Sequence, residues 1–140
     1  MPEPRLLDFI LVEDNEDHAV LIEKTLRSER IANVLKVFGD AESVLEYLGQ
    51  EGAPHPQAIL ADINLPGMNG LELLKAIKSR PRLKNIPVVI LSTSDAETDR
   101  LKAYEYTANS YLTKPLDFDK FRNMVRDMGL YWGVWNQPPA

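Results

Sequence analysis

Residues 58–70 of the chain read AILADINLPGMNG, and this stretch predicts a buried strand that ends in a rigid turn. The apolar run at 58–61 is short and does not alternate with polar residues, which is typical of a strand covered on both faces. Asp62 ends the run, and a dense set of turn-forming residues follows it. Because open α/β sheets bind ligands at the carboxyl ends of their strands, a carboxylate here indicates a functional site.

The rest of the chain alternates strand patterns with helix patterns. Apolar runs predict strands at 6–12, 34–38, 58–62, 87–91 and 110–113, and helical spacing predicts helices at about 15–28, 40–48, 70–79, 95–107 and 117–128. Five strand–helix units imply the α/β class, with a parallel five-stranded sheet covered by helices on both faces. We assume the doubly wound, flavodoxin-like order 2-1-3-4-5, which makes the first and third strands neighbours.

That strand order brings charged residues from several strand ends together. Glu13 and Asp14 follow the first strand and would lie beside Asp62, with Ser92 and Lys114 opposite them. Converging carboxylates repel each other, and with no cysteine in the chain a hard, oxygen-bound cation such as Mg²⁺ is the natural counterion. An Asp carboxylate beside Mg²⁺ and a lysine can act as the nucleophile in phosphoryl transfer, to which a serine hydroxyl donates a further hydrogen bond.

Bulk composition excludes several other classes of protein. The 140 residues suit one compact domain with a substantial core. The net charge of −5 offers no electrostatic footprint for nucleic acid. The absence of cysteine excludes disulfides, thiol catalysis and thiolate metal sites. We find no apolar leader and no run of membrane-spanning length, so the sequence predicts a cytoplasmic protein without a membrane partner.

Four motifs together resemble a known family. They are LVEDN at 11–15, DINLPGMNG at 62–70, LSTS at 91–94 and YLTKP at 111–115. In this order they are similar to the motifs of two-component response-regulator receiver domains, over about residues 6–128. The resemblance implies a receiver domain at 1–130, followed by an aromatic tail at 131–140 and no output domain.

The resemblance also implies the chemistry of the site. Asp62 would take a phosphoryl group from a phosphohistidine on a sensor histidine kinase, assisted by Lys114 and Ser92. Mg²⁺ would be held by Asp14, Asp62 and the backbone carbonyl of Asn64, with Glu13 acting through a metal-bound water. Such a protein promotes its own phosphorylation and dephosphorylation and is not an enzyme with a separate substrate. Asn64 and Ser94 resemble the variable positions that tune the phosphoryl lifetime in the family.

Two further features of the family concern conformation. Ser92 and Tyr111 match its switch pair: Ser92 turns toward the phosphoryl oxygen and the aromatic ring moves into the vacated space. This movement would bias the face made by helix four, strand five and helix five. The peptide bond between Lys114 and Pro115 would be cis.

Finer details resemble the stand-alone regulators that are partnered with bacterial phytochromes. They are the long loop before the third strand, the run at 92–97, the pair at 103–104 and the aromatic tail, and they point to a bacteriophytochrome as the kinase. The tail holds Tyr131, Trp132, Val134 and Trp135, which either cap the core or form an interface. We favour a homodimer, through the tail or through helix four, strand five and helix five. Gly129 and Gly133 are candidate breaks in the last helix.

Three rival functions remain open at this point. A Mg²⁺-dependent phosphatase with an Asp nucleophile commonly has a second acid two residues on, where this chain has Asn64. A flavin-binding electron carrier needs a phosphate loop after the first strand, where the acidic run at 13–17 would repel phosphate. A binding-only receiver is disfavoured by the intact acidic set. His18 is assigned to a solvated helix face and His55 to a surface loop.

Overall fold

The structure, a computed structural model, describes residues 8–32, 34–93 and 97–136. The predicted variable position Ser94 lies outside these residues. Strands and helices alternate throughout, as β1 Phe9–Val12, α1 Glu16–Ser28, β2 Leu35–Phe38, α2 Ala41–Leu48, β3 Ala58–Asp62, α3 Gly70–Ser79, β4 Val88–Ser92, α4 Glu97–Glu105, β5 Ser110–Thr113 and α5 Phe118–Leu130. A π-helical turn, Tyr131–Trp135, follows α5.

The sheet has the order β2-β1-β3-β4-β5, and every neighbouring pair of strands is parallel. The predicted doubly wound, flavodoxin-like fold is therefore confirmed. All residues of β1, β3 and β4 are buried, which explains why these strands read as continuous apolar runs. Successive side chains enter opposite cores: Ile10 and Ile59 pack with α2 and α3, and Phe9 and Leu60 pack with α1 and α5.

The helix starts follow local capping chemistry. Asn15 caps α1: its side chain accepts a hydrogen bond from the backbone N–H of His18. In α3, Asn69 and Glu72 form a reciprocal capping box, so the turn after Asp62 leads directly into a fixed helix. None of the helices in the described part of the chain is long and apolar enough to cross a membrane.

Several predicted boundaries differ from those of the structure by one to three residues. Of the predicted first strand at 6–12, residues 6 and 7 lie outside the described part of the chain, and β1 begins at Phe9 because Asp8 lies in a bend. The Asp8 carboxylate accepts a hydrogen bond from the backbone N–H of Val34. Helix α4 ends at Glu105 and not at Thr107, because Thr107 has a left-handed backbone with φ of 67°. Only Ala103 is buried among the described residues of α4, so its weak apolar pattern carried little information about its ends.

The described part of the tail, residues 131–136, is partly core and partly surface. Trp132 is 9% exposed and packs in the core beside α1 and α5, whereas Tyr131, Val134 and Trp135 are 54%, 57% and 72% exposed. Gly129 does not break α5: a Cβ there would lie 2.5 Å from Leu26 Cδ2 on α1. The glycine thus permits the close approach of α5 to α1, and the helix continues through it.

We expect Gly129→Ala to destabilise the protein by about 1–2 kcal/mol, because overpacking a filled core outweighs the better helix propensity of alanine. Leu26 is fully buried, and Ile31 Cγ2 lies 3.2 Å from the same Cβ position, so the added methyl group enters space that is already filled. Urea unfolding measures the change. Gly39→Ala is the matched control, since no atom lies within 4 Å of its Cβ position. A stabilised Gly129→Ala variant would contradict the close packing of α1 and α5.

Candidate functional site

Three carboxylates meet at the carboxyl ends of β1 and β3. Oxygen atoms of Glu13, Asp14 and Asp62 all lie within 4.8 Å of one another. The parallel register, which pairs Val12 with Ala61, places the residues that follow them side by side. Glu13 and Asp62 are buried, whereas Asp14 is exposed at the mouth of the site. The structure therefore brings together the three residues whose side chains are predicted to serve the metal site; the fourth, Asn64, is predicted to bind through its backbone carbonyl.

Lys114 enters the same site from the end of β5. Its backbone N–H donates to the carbonyl of Ser92 at 2.6 Å, which fixes the start of the side chain next to β4. The ammonium donates to Glu13 Oε1 and lies 3.5 Å from Asp62 Oδ2. Lys114 is only 4% exposed, so it is a buried cation among carboxylates and not a solvated loop lysine.

The remaining predicted residues surround this centre. Ser92 ends β4 and is fully buried, and Tyr111 lies on β5 opposite Ile90, also buried. Asn64 is exposed in the loop two residues after Asp62. The roles of Ser92 and Tyr111 as a switch pair, and of the Asn64 carbonyl as a metal ligand, stay predictions.

The predicted cis bond between Lys114 and Pro115 is wrong for this structure. No peptide bond is cis among the described residues. The trans form of an X–Pro bond is intrinsically favoured by roughly 0.5–1 kcal/mol.

His18 also belongs to the site, although the sequence assigned it to a solvated surface. Its Nδ1 lies 3.0 Å from Lys114 Nζ and 3.9 Å from Glu13 Oε1. Its ring packs edge-on against Phe121 of α5, with a centroid distance of 5.3 Å. The missed signal was spacing: His18 lies four residues after Asp14, one helical turn beyond the acidic strand end.

Burial controls the electrostatics of the site. It raises the pKa of Glu13 to about 7, and the Lys114 hydrogen bond and charge offset this rise only in part, while Asp62 adds to it. Burial and the neighbouring Lys114 charge hold the pKa of His18 below its usual value, which favours the neutral ring. One ammonium thus shares a pocket with three carboxyl groups, and the pocket keeps an excess of negative charge.

The donor atoms fit a hard divalent cation. Asp62 Oδ1 is buried and accepts no hydrogen bond from the residues that the structure describes. A buried carboxylate oxygen without a partner is costly unless a cation or another donor satisfies it. The converging side-chain ligands are all carboxylate oxygens, which suit Mg²⁺ or a similar ion better than a soft metal.

The response regulator receiver domain family matches residues 9–126. The chain belongs to this family. The predicted resemblance is thereby confirmed, and it spans both the acidic strand ends and Lys114. The receiver domain is a signalling module of two-component systems and not a conventional enzyme.

Two sequence relatives match this receiver over most of their length. The probable methanogenesis regulatory protein FilR2 of Methanothrix harundinacea is 38% identical over 135 residues, which cover 94% of this chain and 87% of FilR2. Response regulator Rcp1 of Synechocystis is 37% identical over 128 residues, which cover 89% of this chain and 87% of Rcp1.

Solved receiver structures support the same assignment. The Mn²⁺-bound form of Rcp1 superimposes with a TM-score of 0.89 at 35% identity, covering 98% of this chain and 100% of that one. The phosphorylated cyanobacterial phytochrome response regulator RcpA gives a TM-score of 0.90 at 35% identity, covering 96% and 99%. The predicted similarity to phytochrome response regulators is confirmed.

Proposed function

We propose that this receiver accepts a phosphoryl group on Asp62 from the phosphohistidine of a sensor histidine kinase. The observation that carries the proposal is the position of the Asp62 carboxylate. It is buried, its Oδ1 has no hydrogen-bond partner among the described residues, and its Oδ2 lies 3.5 Å from the Lys114 ammonium. This is the arrangement expected of a nucleophile beside a cation that neutralises the negative charge of the transferred phosphoryl group.

In the proposed step, a carboxylate oxygen of Asp62 attacks the phosphorus as the P–N bond of the phosphoimidazole breaks. The imidazole leaves with the bonding electron pair and takes a proton from solvent. The Lys114 ammonium donates a hydrogen bond to a phosphoryl oxygen, and the Ser92 hydroxyl donates another once its side chain turns toward the group.

We propose Mg²⁺ as the cation of this site. Asp14, Asp62 and the carbonyl of Asn64 would hold it, and Glu13 would act through a bound water. When bound, the ion neutralises the negative charge of the pocket and of the transferring group. The existence of a Mn²⁺-bound form of the relative Rcp1 supports the choice of a divalent cation.

The proposed output is a population shift on the face that carries α4, β5 and α5. Ser92 and Tyr111 lie on the neighbouring strands β4 and β5, where a turn of the serine would vacate space for the ring. Helix α4 buries only Ala103 among its described residues, and Leu101 and Tyr104 are 60% and 52% exposed. A helix with so few buried side chains can move at a low cost in free energy.

Two surfaces support the proposed partners. A groove of about 690 Å³ adjoins Lys114 between α1 and the start of α5, and its rim exposes Val20, Leu116 and Phe118. An apolar groove beside Lys114 suits a docked kinase. The similarity to RcpA, a phytochrome response regulator, supports a phytochrome as that kinase. The exposed part of the tail at 131–135 is our candidate for a homodimer contact.

The test is incubation with acetyl phosphate and Mg²⁺, followed by intact mass measurement. Acetyl phosphate supplies the phosphoryl group by cleavage of its P–O bond, with acetate as the leaving group. We expect a gain of one phosphoryl group that requires Mg²⁺ and does not occur with excess EDTA. A chain that gains no mass under these conditions is not a phosphoacceptor.

A further inference from the structure

His18 contacts the pocket, yet the proposed transfer does not use it. Its side chain is 31% exposed, and its Nδ1 lies 3.0 Å from the Lys114 ammonium. An ammonium group has three donors and no acceptor, so Nδ1 must accept this hydrogen bond with its lone pair. The ring proton therefore lies on Nε2. His18 is in this way a neutral partner of a buried cation.

The three partners of Lys114 differ in what else they can do. Glu13 and Asp62 are carboxylates of the acidic cluster, so a bound divalent cation competes with the lysine for both of them. Asp62 changes again when it carries a phosphoryl group. His18 is not a member of the acidic cluster, so neither cation binding nor phosphorylation is expected to take it away from Lys114. His18 can therefore hold the Lys114 ammonium in place while the two carboxylates exchange the lysine for a cation or a phosphoryl group.

The His18 ring is itself held in place. It packs edge-to-face on Phe121, with a centroid distance of 5.3 Å and an interplanar angle of 69°. Phe121 is buried in the core between α1 and α5. The packing of α1 against α5 thus fixes the orientation of the His18 ring, and with it the direction of the Nδ1 lone pair toward Lys114.

We propose that His18 is a positioning residue for Lys114, which aims the ammonium at the phosphoryl group on Asp62. The inference rests on the proposed phosphoacceptor function. It adds that the packing of α1 on α5 contributes to the speed of the reaction through one histidine–lysine hydrogen bond.

The test separates the acceptor atom from the ring. His18→Phe keeps an aromatic ring against Phe121 but removes the acceptor, and His18→Asn keeps an acceptor oxygen near the same place but removes the ring. With acetyl phosphate and saturating Mg²⁺, we expect His18→Phe to slow phosphorylation about tenfold, the value of one charge-assisted hydrogen bond. His18→Asn should stay within about threefold of the unmodified chain. His55→Phe, in an exposed loop at the other end of β3, is the matched control and should not change the rate.

The Mg²⁺ concentration at half-maximal rate should not change in His18→Phe, because a positioning residue for Lys114 is not a metal ligand. Equal slowing in the Phe and Asn variants would show a packing effect and overturn the proposal. So would an unchanged rate in His18→Phe, or a change confined to the Mg²⁺ dependence. Circular dichroism and urea unfolding confirm that each variant is folded.

A second measurement does not depend on phosphorylation. The chain has two histidines, so nitrogen NMR of the imidazole rings at alkaline pH compares His18 with exposed His55 in one spectrum. We expect a single Nε2–H tautomer for His18 with its Nδ1 signal displaced by the hydrogen bond. A His18 spectrum identical to that of His55 would overturn the inference. If the unmodified chain takes no phosphoryl group, the proposed function fails, while the spectrum still decides the contact with Lys114.

Discussion

We expect Asp62→Asn to abolish the gain of one phosphoryl group that acetyl phosphate and Mg²⁺ should give the unmodified chain. An amide is a far weaker nucleophile than a carboxylate, and the substitution also removes a negatively charged ligand from the acidic cluster. The two neighbouring acids are poorly placed to substitute: Glu13 is engaged by Lys114, and Asp14 is exposed at the mouth. Intact mass measured over a time course gives the result.

Asp119→Asn is the matched control for this variant. Asp119 is an exposed carboxylate on α5, away from the acidic cluster, and its Oδ1 lies 3.2 Å from Arg122. It should take up the phosphoryl group at the unmodified rate. If Asp62→Asn still gained one phosphoryl group, the acceptor would have to be another residue, and peptide mapping would locate it.

Lys114→Met should lower the free energy of unfolding of the metal-free protein by about 3–5 kcal/mol at about pH 8, because it leaves Glu13 as a buried carboxylate without a cation. The Glu13 side chain is 1% exposed, so water cannot replace the lost partner. Urea unfolding in EDTA measures the loss.

The loss should depend on pH in a defined direction. The folded-state pKa of Glu13 is raised from its ordinary value of 4.5 to about 7, and removing Lys114 takes away the two contributions that lower it. A raised pKa in the folded state means that stability is fully present below the unfolded value and is lost as pH rises through the folded value. The variant should therefore be much closer to the unmodified chain at about pH 5 than at about pH 8.

Two controls isolate the buried carboxylate. Adding Glu13→Gln to Lys114→Met removes the unpaired charge and should recover most of the stability at the higher pH. Lys102→Met, on the exposed face of α4, should change stability by less than about 0.5 kcal/mol. A loss that is equal at both pH values would contradict the assignment of the effect to Glu13.

The fold was predictable because its signals are local. A run such as 58–61, without alternation and closed by turn formers, can only be buried on both faces, and five such units in alternation leave few topologies. The strand order was an assumption, since pairing between distant strands has no local signature. The ends of α4 were the weakest prediction for a different reason: this helix buries only Ala103 among its described residues, so its apolar pattern is weak.

The site was predictable where strand ends define it and unpredictable where packing does. Position at a strand end identified Asp62, Asp14, Glu13 and Lys114 before any geometry was known, because parallel strands gather their carboxyl ends at one edge. His18 was misassigned because the residues just before it in the sequence are polar. Its neighbours in space are a buried lysine 96 residues away and an aromatic ring of α5.

The sequence by itself therefore determined the alternation of strands and helices, the family motifs and the identity of the acidic cluster. Each of these depends on residue type and on short-range spacing. Only the tertiary structure decided that His18 accepts from Lys114, that Gly129 allows α5 to approach α1 and that Trp132 is core while Trp135 is exposed. These outcomes depend on the distance between elements far apart in the chain, which side-chain volume and close packing set and which no local pattern encodes.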